Sequence, residues 1–199
     1  MSELEAAIRA ACDAARWDHA MTLALENYGP ELLSYLVALM RNATDADDLF
    51  GTVSESLWRT LPRFRWDSSL RTYAYTIARN TWRKHVRNPR HRRPPEPLSS
   101  PAVAAVVARA RTQTATYLRT ELKDRISALR AELDPDDQTL LILRINRRLA
   151  WREIAQVMAD DDDEPSAITR RAAALRKRFE RLKEKLGRLA AEKGLLGPK

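Results

Sequence analysis

The chain has 199 residues, enough for one or two small domains that each bury a hydrophobic core. Its five glycines and its abundance of leucine, alanine, arginine and glutamate favour helices over strands. The single cysteine, Cys12, excludes an internal disulfide, and such a residue is more often a packed side chain than a redox sensor. No apolar stretch approaches the roughly 20 residues of a membrane span, and no signal peptide begins the chain, so we expect a cytoplasmic protein without membrane insertion.

The net charge of +8 is distributed unevenly. Residues 1–58 carry ten acidic and three basic side chains. Two basic blocks follow: residues 59–95 carry eleven basic side chains against one acidic, and residues 166–189 carry nine against two. Concentrated positive charge attracts a polyanion and releases its counterions, so the two blocks predict contact with nucleic acid. A solvated basic face is the alternative for either block taken alone.

Apolar residues at helical spacing predict three helices in the first half of the chain, over residues 28–40, 44–61 and 70–87. Thr44 can cap the second helix, whose first turn is acidic, and Pro62 ends it. A short loop, residues 63–69, separates the second helix from the third.

Five prolines occur among the fourteen residues from Asn88 to Pro101. Proline removes a backbone donor and restricts φ, so this stretch is predicted to be a linker. Helical patterns resume over residues 102–133, with a break expected near 112–116, and return over residues 136–145, 151–158 and 166–189.

These patterns predict an all-α fold with two small helical domains joined by a Pro-rich linker. We expect a first domain over residues 1–88, a linker over 89–118, a second domain over 119–190 and a flexible tail over 191–199.

Aromatic and basic side chains alternate in the first basic block, between Trp58 and Lys84. Bases stack on aromatic rings while cations follow the phosphates, so this mixture favours single-stranded nucleic acid. The alternative is that the rings belong to the core, which we expect of Phe64 and Tyr73 but not of Trp66 or Trp82. The candidate DNA-binding residues are Arg63, Arg65, Trp66, Trp82, Lys84 and a polar stripe at a spacing of four, formed by Arg71, Tyr75, Arg79 and Arg83.

Residues 149–182 have the pattern of a helix-turn-helix: a short apolar helix, a polar turn and a longer basic helix. A recognition helix reads base edges from its amino-terminal half, and the candidates there are Thr169, Arg170 and Ala173. The candidates for holding phosphates are Arg171, Arg176, Lys177 and Arg178. The alternative is an ordinary amphipathic hairpin with a solvated cationic face.

Catalytic patterns are not found in the sequence. The acidic run over residues 160–164 lacks the alternating ligand spacing and the turn glycine of a calcium loop, so a solvated loop is the better interpretation. The three histidines, His19, His85 and His91, do not have metal-ligand spacing, and no nucleophile motif or phosphate-binding glycine loop occurs. We therefore expect no catalytic residue, no metal and no cofactor.

Three parts of the chain, in order, resemble those of the extracytoplasmic-function (ECF) sigma factors of bacterial RNA polymerase. They are DADDLFGTVSESLW (45–58), FRWDSSLRTYAYTIARNTWRKHVR (64–87), and LDPDDQTLLILRINRRLAWREIAQVM (133–158) with AITRRAAALRKRF (167–179). The resemblance implies that the first part binds the clamp of the largest polymerase subunit. It also implies that the second melts and reads the −10 promoter element and that the third reads the −35 element.

The resemblance assigns polymerase contact to Asp45, Asp48, Leu49 and Leu57. It adds Asn80 to the −10 candidates and makes the loop 63–69 the element that captures a flipped base. This chain departs from the family pattern at several points. Gly51 and Thr52 replace a Gln-Glu pair, Trp66 stands where a glycine is common, and the turn of the helix-turn-helix is longer.

A sigma factor of this kind would bind core polymerase, recognise both promoter elements and open the duplex without covalent chemistry. The alternative is a helix-turn-helix regulator that binds duplex DNA alone and acts with a resident sigma factor. The resemblance also allows an anti-sigma factor as a partner, since relatives are commonly held by one.

Overall fold

The computed structural model describes residues 2–40, 42–87, 100–121, 129, 132–159 and 166–193. These residues form α-helices joined by turns, with no β-strand among them, which confirms the all-α prediction. The chain divides into two compact units, Met1–Tyr117 and Leu118–Lys199. No helix in the described ranges is both long enough and apolar enough to cross a membrane.

The first unit contains five helices. They are α1 (Glu3–Asp13), α2 (Trp17–Met40), α3 (Ala43–Thr60), α4 (Leu70–Arg87) and α5 (Pro101–Glu121), with a 3-10 turn at Leu61–Arg63. The prediction for α4 is confirmed at both ends. Helix α2 begins earlier than predicted, because Ala20, Met21 and Leu25 are buried and extend the packed face towards the amino terminus.

Asn42 caps α3, in place of the predicted Thr44. Its Oδ1 accepts hydrogen bonds from the backbone N–H of Thr44 at 2.9 Å and of Asp45 at 3.3 Å. Thr44 lies inside the helix, where its own N–H needs a partner. An asparagine in the extended conformation immediately before the helix supplies that acceptor.

The core of the first unit contains two rings from different helices. Tyr35 of α2 and Tyr75 of α4 are fully buried and meet edge to face, with ring centroids 5.5 Å apart. Phe50 and Leu57 of α3 are also buried. Each such large apolar side chain stabilises the fold by about 1.5–3 kcal/mol when it leaves water.

Most of helix α5 lies within the residues that we predicted to be linker, 89–118. Its apolar stripe, Val103, Val106, Val107 and Ala110, is buried. Gly29 of α2 accommodates this contact, since a Cβ placed there would lie 3.0 Å from the Cβ of Ala110. The described residues of the predicted linker therefore belong to the first unit, because a stripe at helical spacing gains more from packing than from solvent exposure. The stretch 88–99 lies outside the described residues.

The second unit contains α6 (Pro135–Leu141), a π turn (Ile142–Asn146), α7 (Trp151–Val157) and α8 (Ala167–Glu192), which confirms the three helical segments predicted there. Leu175, Phe179 and Leu182 of α8 are buried, as the stripe predicts. Trp151 packs edge-on against Phe179, with centroids 5.5 Å apart. The acidic run 160–164 and residues 194–199 of the predicted tail lie outside the described residues.

Candidate functional site

Helix α1 is attached to the start of the arginine-rich helix α4 through one carboxylate. Glu5 Oε2 accepts a hydrogen bond from the backbone N–H of Leu70 at 2.9 Å, and Oε1 accepts one from Arg71 at 3.1 Å. The hydroxyl of Tyr28 donates to Glu5 Oε1 at 3.0 Å. Negative charge at a helix amino terminus complements the helix dipole, so Glu5 acts as a cap supplied from a distant part of the sequence.

Arg71 is oriented by an ion pair on the same side of the unit. Its Nε and Nη2 each donate to one oxygen of Glu31 at 2.7 Å, in the two-point geometry that guanidinium and carboxylate favour. Burial and the neighbouring Glu5 raise the pKa of Tyr28 well above its usual value. Arg71 is half-buried, and two of its donors point at Glu31 instead of at solvent.

Three of the predicted −10 candidates are core residues. Tyr75 is 0% exposed, Arg79 3% and Trp82 6%, so these three side chains are buried in this folded unit, and their contact with DNA stays a prediction. They occupy the same broad face of α4 as Ala74 and Ala78. Positions at spacings of three and four share one side of a helix, and the other helices cover that side.

The remaining candidates of this block lie at the surface. Arg63, Arg65 and Lys84 are exposed, while Trp66, Asn80 and Arg83 are half-buried. Arg65 is paired with Asp67 at 3.4 Å, and both side chains are largely in solvent. An exposed pair of this kind is worth little and exchanges readily for a phosphate.

Half-buried aromatic rings meet at the loop before α4. Phe64 stacks on Tyr73, with centroids 4.5 Å apart and planes inclined by 20°, and lies 4.9 Å from the ring of Trp66. Phe64 and Tyr73, which we expected to be core residues for the most part, are half-buried. The guanidinium of Arg9, on α1, lies over Trp66 at 5.5 Å from the ring centroid. Sequence reasoning missed Arg9, because nothing in residues 1–13 signals a contact with the loop.

Helix α3 divides the four predicted polymerase contacts into two pairs. Asp48 is exposed and Asp45 half-buried, whereas Leu49 is 4% exposed and Leu57 1%. Leu49 and Leu57 belong to the apolar stripe that packs into the unit, and their contact with polymerase stays a prediction.

Asp47, between the two surface acids in sequence, pairs with Arg111 of α5 at 2.8 Å. Burial raises the pKa of Asp47, and Arg111 opposes that effect. The acidic start of α3 is therefore partly covered by α5, and Asp48 remains its exposed carboxylate.

The recognition-helix candidates also divide by exposure. Those exposed on α8 are Thr169, Arg170, Ala173, Arg176 and Lys177. Arg171 is half-buried, and its Nη1 donates to the backbone oxygen of Met158 at 2.6 Å, which joins the start of α8 to the end of α7. Arg178 Nε donates to Asp137 at 2.6 Å and its Nη2 to Asp134 at 3.1 Å. Arg171 and Arg178 therefore position the helix, and the five exposed residues form its outer surface.

An unpredicted feature of the second unit is the placement of Trp151 between two cations. The guanidinium of Arg144 lies 4.7 Å from the ring centroid and that of Arg176 lies 5.7 Å from it. The contact orients Arg176, one of the predicted phosphate ligands, without burying it.

An all-helical scaffold with basic surfaces on both units, one beside aromatic rings and one on a helix-turn-helix, defines a DNA-binding protein. Residues 24–93 match the sigma-70 region 2 family. The chain is also similar to the RNA polymerase sigma-H factor of Pseudomonas aeruginosa, with 28% identity over 145 residues, which cover 70% of this chain and 75% of that protein. Both comparisons relate the chain to sigma factors, one through residues 24–93 and the other through the 145 aligned residues.

Proposed function

We propose that the chain is an ECF-type sigma factor that binds core RNA polymerase in the cytoplasm, recognises −10 and −35 promoter elements and opens the duplex at the −10 element. The observation that carries the proposal is the composition of the region 2 unit. Its α3 exposes an acidic side chain, Asp48, whereas the loop before α4 combines exposed arginines with half-buried rings. Opposite charges on two surfaces of one unit fit a protein partner on one side and DNA on the other.

The −10 surface would consist of Arg63, Arg65, Trp66, Asn80, Arg83 and Lys84. Cations along this surface would follow the phosphates of the separated strand, and an unstacked base would exchange its neighbours in DNA for an aromatic ring. Arg71 and Arg79 would contribute indirectly, Arg71 through Glu31 and Arg79 from inside the unit. Strand separation is then driven by binding energy.

The −35 surface would be the exposed face of α8. Thr169, Arg170 and Ala173 lie in the first two turns, from which a recognition helix reaches base edges in the major groove. Arg176 and Lys177, one to two turns further on, would hold phosphates and so position the helix without reading sequence.

The experiment is a comparison of two charge reversals on the first unit. Asp48→Arg should abolish binding of the purified chain to core polymerase and also promoter-directed initiation. Asp13→Arg, at an exposed acid at the end of α1, should leave both near the wild-type level. Circular dichroism confirms that both variants are folded. Equal binding by the two variants would contradict the placement on α3, and a wild-type chain that binds duplex DNA but not core polymerase would support the regulator instead.

A further inference from the structure

The backbone at Trp66 is unusual for a large side chain. Its φ of 61° lies in the left-handed region, which a residue with a Cβ adopts at an energetic cost. Such a conformation persists only where the surrounding structure imposes it, and it is concentrated at functional positions. Trp66 lies in the loop between the 3-10 turn and α4, beside the exposed side chain of Arg65.

Two elements hold the indole in place. Phe64, itself stacked on Tyr73, contacts one part of the ring. Arg9 comes from α1 and lies over the ring, with its guanidinium carbon 5.5 Å from the centroid. Arg9 precedes the residues matched by the region 2 family, which begin at position 24. The ring is therefore covered in part by a cation that the matched domain does not supply.

The position of Arg9 is determined by Glu5. Residues four apart lie on the same side of a helix, so Arg9 is one turn along α1 from the carboxylate that caps α4. Glu5 receives hydrogen bonds from Leu70, Arg71 and Tyr28 and is buried. Arg9 is exposed. A buried anchor one turn before an exposed cation places the guanidinium of Arg9 at the loop, where it is accessible to solvent.

We propose that Arg9 is a specificity-determining residue for single-stranded DNA at Trp66. The inference rests on the proposed function. In the free protein the guanidinium covers the indole. A base that stacks on the indole displaces it, and the guanidinium then binds a phosphate next to that base. The exchange replaces a cation–π contact with base stacking and an ion pair, so the complex gains from Arg9 only when a base occupies the ring.

The test uses holoenzyme assembled from core polymerase and the full chain. The probe is a library of partial duplexes with a randomised single-stranded segment in the non-template strand, and bound molecules are sequenced. The variants are Arg9→Ala, Arg9→Lys, Trp66→Ala and the double variant. Arg16→Ala is the matched control, since Arg16 is exposed just beyond the same helix.

We expect Trp66→Ala to weaken binding of the segment by about tenfold, near the low end of the range for one stacked base, and to remove the smaller base preference at one position of the segment. Arg9→Ala should reduce the preference at that same position and leave the others unchanged. The double variant should lose no more than Trp66→Ala alone. Arg9→Lys should keep the overall affinity but not the preference, because an ammonium has no planar face. Arg16→Ala should select like the wild type.

Each contrary result has a separate meaning. If the wild-type holoenzyme selects sequences and Arg9→Ala shows the same base preference as the control Arg16→Ala, the inference about Arg9 is overturned. The proposed sigma function is unaffected by that result. An equal loss of preference at all positions in Arg9→Ala also overturns it, since that result indicates a structural or purely electrostatic role. A wild-type chain that neither joins core polymerase nor initiates transcription overturns the proposed function and the inference with it.

Discussion

Glu5 and Leu70, which are 65 positions apart in the sequence, are joined by a hydrogen bond of 2.9 Å from the backbone N–H of Leu70 to Glu5 Oε2. The bond lies between the first helix and the first residue of the arginine-rich helix. It is buried, so water cannot replace the carboxylate without a rearrangement of the unit. One side chain of α1 thus determines where α4 begins in space, and with it the loop that carries the aromatic rings.

Glu5→Gln should destabilise the first unit by about 1–3 kcal/mol, the usual cost of losing a buried charged acceptor. The glutamine amide has one acceptor oxygen, whereas the carboxylate of Glu5 uses both of its oxygens to accept the hydrogen bonds from Leu70 and Arg71. Hydrogen exchange measured by mass spectrometry reports the two units separately, and the loss should be confined to the first. Glu3→Gln, at an exposed position in the first turn of α1, serves as the control and should change little. Equal effects of the two substitutions would show that Glu5 is not the cap.

Stability should fall as the pH rises above 10, with a contribution from Tyr28. Burial, followed by Glu5, raises the pKa of this hydroxyl, so the folded state keeps a proton that the unfolded state loses above pH 10. The contribution is fully present below pH 10 and is lost at higher pH, with a limiting slope of about 1.4 kcal/mol per pH unit. Tyr28→Phe should reduce the slope measured in urea denaturation between pH 9 and 11. An unchanged slope would mean that other groups account for the loss.

Two glycines inside helices should respond oppositely to the same substitution. Gly187→Ala should stabilise the second unit by about 0.5–1 kcal/mol, because alanine favours the helix and a Cβ there meets nothing within 4 Å among the described residues. Gly29→Ala should destabilise the first unit, since the new Cβ would lie 3.0 Å from Ala110 and move α5 away. Urea denaturation and hydrogen exchange measure both effects. If Ala110→Gly restored the stability of the Gly29→Ala variant, the contact between the two positions would be confirmed. If Gly29→Ala stabilised the first unit, the contact would be contradicted.

Two arginines on α8 should differ in what they contribute. Arg178→Ala should cost the second unit about 1 kcal/mol of stability, because Asp134 and Asp137 lose their shared partner. Arg170→Ala should leave stability unchanged, since the side chain is exposed, but should weaken binding to promoter duplex. If Arg170 holds a phosphate, the salt slope should fall by about 1, and if it reads a base, the preference at one position should relax. If Arg178→Ala lost DNA binding and Arg170→Ala did not, the assignment of Arg170 to DNA and of Arg178 to stability would be contradicted.

Local chemistry determined a large part of this protein. Pro62 was sufficient to predict the end of α3, the apolar spacing after Ser69 predicted α4, and the stripe on α8 predicted its buried side. The order of the acidic helix, the aromatic and basic block and the helix-turn-helix was sufficient to indicate the resemblance to sigma factors. All of these signals depend on neighbouring residues, because helix periodicity, capping and chain breaking act over a few positions.

The tertiary structure decided which of the candidate side chains reach the surface. Periodicity placed Arg71, Tyr75 and Arg79 on one stripe of α4, but it could not show how much of that side α2 and α3 cover, and burial removed Tyr75 and Arg79 from the surface. The contact of Arg9 with Trp66 and the cap from Glu5 join residues that are far apart in sequence. The sequence alone determined the helices, their order and the resemblance to sigma factors. Packing decided which candidate side chains are exposed at the site, because the exposure of a side chain depends on every helix that packs against its own helix.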